Sequence, residues 1–189
     1  MEYADNGTMV NLLKNGAIPE ATCRKLFLNI CKGLQYLHKK KIAHRDLKLE
    51  NILLDKDNNP KLTDFSYAIT CNKDNFMTKT FCGTLPYIPP ELITEDNLRS
   101  YDPLAADIWS LGICLYVATN NALPFRTNER KMDETVHAQV AKRWAFKERY
   151  ASKLSPTLKD LICKLLEPKP KDRPTIDQVL QHEWFKKTD

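Results

Sequence analysis

The apolar positions of this chain fall into a few long helical periods and, around residue 50, into runs too short for a helix. Cys23, Leu26, Phe27, Ile30, Cys31, Leu34 and Leu37 recur at spacings of three and four behind Pro19 and Glu20. That pattern predicts one long helix with its proline at the opening turn. Ahead of it, Thr8 is placed to cap a short helix carrying Met9, Leu12 and Leu13, with Gly16 as its stop. Ile42-Ala43, Ile52-Leu53-Leu54 and Lys61-Leu62-Thr63 read as extended pieces, the last two joined by a turn at Asp57-Asn58-Asn59-Pro60. From Ser66 to Glu91 no period holds, as expected of an irregular surface segment. Further on, Ile108, Leu111, Leu115 and Ala118 share one helix face while Ile113 and Val117 lie off it, which predicts a helix buried on several sides. More helices are predicted over 129–142, 155–166 and 175–182, punctuated by Pro156, Pro168, Pro170 and Pro174. The expected fold is mainly α with one small β-sheet.

Composition narrows this without changing it. At 189 residues, 42% hydrophobic and 28% charged, the chain has the make-up of one soluble globular domain. Its net charge of +5 is mild and dispersed, and the densest cluster, Lys39-Lys40-Lys41, suits a solvated helix end. Nucleic-acid binding gains no support from it. The six cysteines include no C-x-x-C pair, and the four histidines show no ligand spacing. That argues for reduced thiols rather than a disulfide or zinc scaffold, and for the cytoplasm or nucleus. The polar opening Met1-Glu2-Tyr3-Ala4-Asp5 is no signal peptide, and no apolar run is long enough to span a bilayer, so no membrane partner is expected. Trp109, Trp144 and Trp184 read as core or surface-packing aromatics.

The chemistry is concentrated in four pieces. His44-Arg45-Asp46-Leu47-Lys48-Leu49-Glu50-Asn51 is followed by Asp64-Phe65-Ser66, then Thr80-Phe81-Cys82-Gly83-Thr84, then Pro89-Pro90-Glu91. In this order and spacing they resemble the signature set of the eukaryotic protein kinases, over essentially the whole chain. The resemblance implies a hinge and C-terminal lobe over 1–189, with an activation segment at 64–91, using ATP and Mg²⁺ to phosphorylate protein substrates. Phosphoryl transfer asks a protein chiefly for positioning and for neutralising charge. Asp46 lies where the family's catalytic base orients the substrate hydroxyl, and Lys48 where a point charge holds the γ-phosphate. Asn51 and Asp64 lie where the family ligates Mg²⁺. Lysine two places after Asp46, and Thr84 at the substrate-facing threonine, resemble Ser/Thr rather than tyrosine kinases. Within the family, Lys79–Thr84 and the segment from Arg45 to Ser66 are most similar to the testis-specific serine kinases of the calcium/calmodulin-kinase-like group.

Other positions carry over by the same resemblance. Arg45 would pair with a phosphate on Thr80, placed there by an upstream kinase. Glu91 and Arg173 match a buried ion pair, and Asp107 the helix aspartate that steadies the catalytic loop. The Glu2 carbonyl and Ala4 amide would face adenine, with Leu53 as its floor. Glu50 matches an acidic position that selects arginine upstream of the acceptor, although an exposed salt-bridge role is equally open to it.

Three departures qualify the expectation. None of the five glycines forms G-x-G-x-x-G, and no strand lysine precedes the hinge, so the N-terminal lobe is expected to be absent. Losing one preorganised donor typically costs ~10²–10³ in rate, so this polypeptide alone is expected to turn over negligibly. Ser66 stands where glycine is usual, at a cost on the order of 1 kcal/mol if the position needs positive φ. Pro89 replaces the usual alanine. Two readings follow, a Ser/Thr protein kinase or a non-catalytic lobe that binds kinase substrates or partner kinases.

Overall fold

Two helices organise the computed structural model, which describes residues 4–71, 77–93, 100–127 and 129–186. Helix α1 (Glu20–Lys39) turns Cys23, Leu26, Phe27, Ile30, Cys31 and Leu34 to the interior, as the three-and-four spacing predicts, and ends with Lys39 and Lys40 in solvent. Helix α3 (Pro103–Asn120) starts on Asp102, whose carboxylate accepts the amides of Leu104 and Ala105. Fifteen of its eighteen residues are buried, so the off-face Ile113 is packed along with the apolar stripe. Between these helices and after them come α2 (Pro90–Ile93), α4 (Met132–Val140), α5 (Glu148–Ala151), α6 (Pro156–Leu165), α7 (Ile176–Leu180) and α8 (Glu183–Lys186). Helix α3 presses on α6 at Gly112, where an added β-carbon would stand 2.8 Å from Leu165 Cβ, so only glycine fits. One continuous core joins Phe27, Ile30 and Leu34 to Leu47, Leu49, Ile52, Trp109, Leu111 and Trp184. Each such side chain contributes roughly 1.5–3 kcal/mol through burial.

The strands depart from expectation. Instead of one sheet, the described residues form two antiparallel pairs: β1 (Ile42–Ala43) with β4 (Ile69–Thr70), and β2 (Ile52–Leu54) with β3 (Pro60–Leu62). Strand β4 lies inside the stretch expected to be irregular, because two residues carry no period and only pairing with distant β1 defines them. The same stretch holds a 3₁₀ turn at Leu85–Tyr87 and the start of α2. Thr8 does not cap; its side chain makes no cap bond, and its backbone bridges Leu53 while Met9–Asn15 winds as 3₁₀. The backbone pairs Asn6 and Gly7 with Leu54, which lays the N-terminal stretch along β2. All six cysteines are free thiols, and among the described residues no helix is long and apolar enough to cross a membrane.

Glu20 links three helices. Its Oε1 accepts the Ser155 hydroxyl, the Trp184 indole N–H at 2.9 Å and Arg24 Nη2 at 3.2 Å, and its Oε2 accepts the Ser155 amide at 2.8 Å. Burial would raise this carboxyl above its ordinary 4.5, but the Ser155, Trp184 and Arg24 interactions outweigh it and hold the group below that value. A lowered carboxyl stabilises the fold above the unfolded value and stops doing so as pH falls through the folded one. We expect Glu20→Gln to cost about 1.5–3 kcal/mol at pH 7, since an amide nitrogen would face a donor. Urea unfolding should show the gap between variant and parent closing as pH is taken below 4.5.

Candidate active site

The loop His44–Asn51 leaves β1 and is held from beneath by α3. Asp107 Oδ1 accepts the Arg45 amide at 2.8 Å, and its Oδ2 accepts the His44 amide at 2.8 Å and meets His38 Nε2 at 3.0 Å. His44 is fully buried; its Nε2 lies 2.9 Å from the Thr63 carbonyl and its Nδ1 accepts the Asp46 amide at 3.3 Å. The Nε2–H tautomer satisfies both contacts. These bonds fix Arg45 in the left-handed region at φ 65°, which turns Asp46 toward the segment carrying Thr84. Gly83 completes the approach; at φ 107° its added β-carbon would lie 3.0 Å from the Arg45 carbonyl oxygen.

Asp46 is buried, and hydrogen bonds reach both of its carboxylate oxygens. Thr84 donates its hydroxyl to Oδ1 at 2.8 Å. Lys48 Nζ reaches Oδ2 at 2.7 Å and the Thr84 oxygen at 2.8 Å, and Asn51 Nδ2 adds a contact to Oδ2 at 3.1 Å. Asn51 also donates to the Asp46 carbonyl at 2.9 Å. Four residues from two separate segments therefore meet around one carboxylate, with a cation and a hydroxyl beside it. Asn51 spends its amide nitrogen on Asp46 and leaves its side-chain oxygen unengaged among the described residues.

Asp64 follows β3 at φ 60° with an exposed carboxylate. Its Oδ1 accepts the Ser66 hydroxyl at 2.6 Å and the Ser66 amide at 3.4 Å. The Ser66 hydroxyl first, then its amide, hold this carboxyl below the usual range despite slight burial, with Lys48 and His44 adding to the effect. Positive φ therefore falls on Asp64 and not on Ser66, so the β-carbon at 66 carries no left-handed strain. A carboxylate and an amide oxygen suit a hard divalent cation that draws its remaining ligands from water and phosphate. Among the described residues no group of three His, Cys, Asp or Glu forms a closed metal cage.

The remaining sites lie around this centre. Arg45 Nε donates to the Tyr67 carbonyl at 2.6 Å, and its Nη1 points at the Thr80 carbonyl, 3.5 Å away. Thr80 is exposed, and its carbonyl also accepts the Tyr101 hydroxyl at 3.1 Å. Glu50 is exposed, and its Oε2 accepts the Tyr87 hydroxyl at 3.3 Å. Leu53 and Ala4 are half-buried, and Glu2 lies outside the described residues. Arg173 forms a two-pronged ion pair with Glu91, at 2.6 and 2.7 Å. Four contributors escape a local reading, namely His38, Ser66, Tyr67 and Tyr101. Their partners, the Asp107 and Asp64 carboxylates, the Arg45 guanidinium and the Thr80 carbonyl, are set by folding, and only Ser66, as a break in a motif, gives a sequence signal.

The protein kinase domain family matches residues 1–185, and the chain belongs to that family. CBL-interacting serine/threonine-protein kinase 13 of Arabidopsis thaliana is 34% identical over 99% of this chain and 36% of its own length. CBL-interacting protein kinase 31 of Oryza sativa subsp. japonica is 37% identical over 99% of this chain and 40% of its own. Testis-specific serine/threonine-protein kinase 2 of Mus musculus is 35% identical over 98% of this chain and 51% of its own. The chain thus spans about a third to a half of the curated relatives it matches. Two of these three relatives are named as serine/threonine-protein kinases.

Proposed function

We propose that this chain is the hinge and C-terminal lobe of a serine/threonine protein kinase domain, and that the domain moves the γ-phosphate of ATP to Ser or Thr hydroxyls of protein substrates. The observation that carries the reading is the convergence of Lys48, Asn51 and Thr84 on the buried Asp46 carboxylate. Thr84 shows that a hydroxyl can be held 2.8 Å from that carboxylate, which is the placement an acceptor Ser or Thr needs. Lys48 sits between carboxylate and hydroxyl, where its charge can take a transferring phosphoryl group. Asn51 and Asp64 would hold Mg²⁺, which when bound neutralises phosphate charge. Glu2, Ala4 and Leu53 would receive adenine. Arg45, within reach of the Thr80 backbone, would order the 77–89 segment once an upstream kinase has phosphorylated Thr80. Glu50 would border the bound peptide. The setting is the cytoplasm or nucleus.

The test is transfer of labelled γ-phosphate from ATP to Ser and Thr peptides. It should be run with protein expressed from its own gene, with its Asp46→Asn variant, and with the purified 189-residue polypeptide. Transfer is expected from the first, is abolished by the substitution, and is negligible from the polypeptide alone, which carries no G-x-G-x-x-G. Undiminished transfer by the variant removes Asp46 from its role. Steady transfer by the polypeptide shows that the residues present suffice.

A further inference from the structure

We infer that the Ser66 hydroxyl is a positioning group for Asp64: it pins one carboxylate oxygen and leaves the other free for a divalent cation. The inference rests on the reading of Asp64 as a cation ligand. It begins from the one place where the chain breaks its motif at the centre itself. Glycine at 66 would offer Asp64 only a backbone amide, and that contact is long, at 3.4 Å. Serine adds a hydroxyl at 2.6 Å, aimed at the same Oδ1. Both donors therefore converge on one oxygen, and among the described residues none is directed at Oδ2.

Little else fixes this carboxylate. Asp64 is exposed, so packing does not choose its rotamer, and its neighbour Phe65 is exposed as well, touching the His44 ring at a centroid distance of 5.0 Å. A left-handed backbone at φ 60° turns the side chain outward, and the residue two places on is the one whose side chain closes the turn. The β-carbon that brings the hydroxyl adds no left-handed strain, because Ser66 is not among the positive-φ residues. A hydroxyl that occupied both oxygens would compete with a cation. One that occupies a single oxygen orients the second, as outer partners of metal ligands do.

The probe is Mn²⁺ alone, titrated into the 189-residue chain and followed by the electron paramagnetic resonance signal of free ion. The parent chain should take up Mn²⁺ saturably, and Asp64→Asn should remove that uptake. Ser66→Ala and Ser66→Gly should weaken it about tenfold, the lower end of the usual effect of losing an outer partner, while Ser66→Thr stays within about twofold of the parent. Thermal midpoints should not move, since the residue is exposed; a purely structural turn would shift them and leave Mn²⁺ uptake alone. The inference fails if Ser66→Ala binds Mn²⁺ like the parent, if Ser66→Thr is as weak as Ser66→Ala, or if the parent shows no saturable uptake. No phosphoryl transfer is read. Absence of transfer from the protein expressed from its own gene would therefore count against the proposed function and not against Ser66.

Discussion

Arg173→Ala should lower the unfolding free energy by about 3–5 kcal/mol, a large part of the 5–15 kcal/mol that a domain usually has. Every donor of this guanidinium is used. Nη1 reaches Glu91 Oε1 at 2.6 Å and the Ala105 carbonyl at 3.1 Å, and Nη2 reaches Glu91 Oε2 at 2.7 Å and the Pro168 carbonyl at 3.0 Å. Nε donates to the Glu167 carbonyl at 2.6 Å, and the group lies 5.1 Å from the Trp109 ring centre. The side chain is fully buried while that of Glu91 is 17% exposed, so truncation strands a carboxylate and three carbonyls in low dielectric. Lysine cannot replace it, because a point charge does not span both carboxylate oxygens. Urea denaturation should give the cost directly, and the thermal midpoint should fall by roughly 6–20 °C. The double variant Arg173→Met with Glu91→Leu should recover much of the loss, since no charge is then left unpaired. Equal loss in single and double variants would show that packing, not the ion pair, holds α2 to the turn before α7.

Such particulars mark where the sequence is readable. Helices α1 and α3 follow from apolar spacing, and α6 and α7 fall within the proline-punctuated stretches 155–166 and 175–182, α7 opening on a capping box in which Thr175 and Gln178 exchange bonds. The four-piece motif likewise puts Asp46, Lys48, Asn51 and Thr84 in one family pattern before any distance is known. What the sequence does not carry is pairing between remote segments. Strand β4 exists only because β1 lies opposite, and Thr8 leaves its capping role because Leu53 offers a bridge. Glu20 looks like a helix-opening acid and turns out to join α1 to Ser155 and Trp184. Ser66 is visible as an odd residue, but whether its β-carbon strains the chain or its hydroxyl serves Asp64 depends on which residue takes positive φ. Local chemistry is legible; the partner that gives it a role is not.

Asp107→Ala should be nearly as costly as the arginine change, about 3–5 kcal/mol, and should strike a different part of the molecule. The carboxylate is 1% exposed and serves three donors: the Arg45 amide on Oδ1, and the His44 amide and His38 ring on Oδ2. Each buried amide left unpaired costs about 1–3 kcal/mol. The loss is compounded because Arg45 is held at φ 65°, a conformation a non-glycine residue keeps only when its surroundings impose it. Without Asp107 nothing described replaces that imposition, and the loop can relax, carrying Asp46 away from Thr84. Asparagine would not rescue it, since Asp107→Asn turns one acceptor into a donor that faces an amide N–H or the His38 ring. Native-state hydrogen exchange separates this outcome from the arginine one. The Asp107 variants should lose protection at the His44, Arg45 and Asp46 amides, whereas Arg173→Ala should lose it first around Leu92. Unchanged protection at 44–46 in a folded Asp107→Ala protein would mean that the loop holds its shape by its own contacts, and that α3 merely lies beneath it.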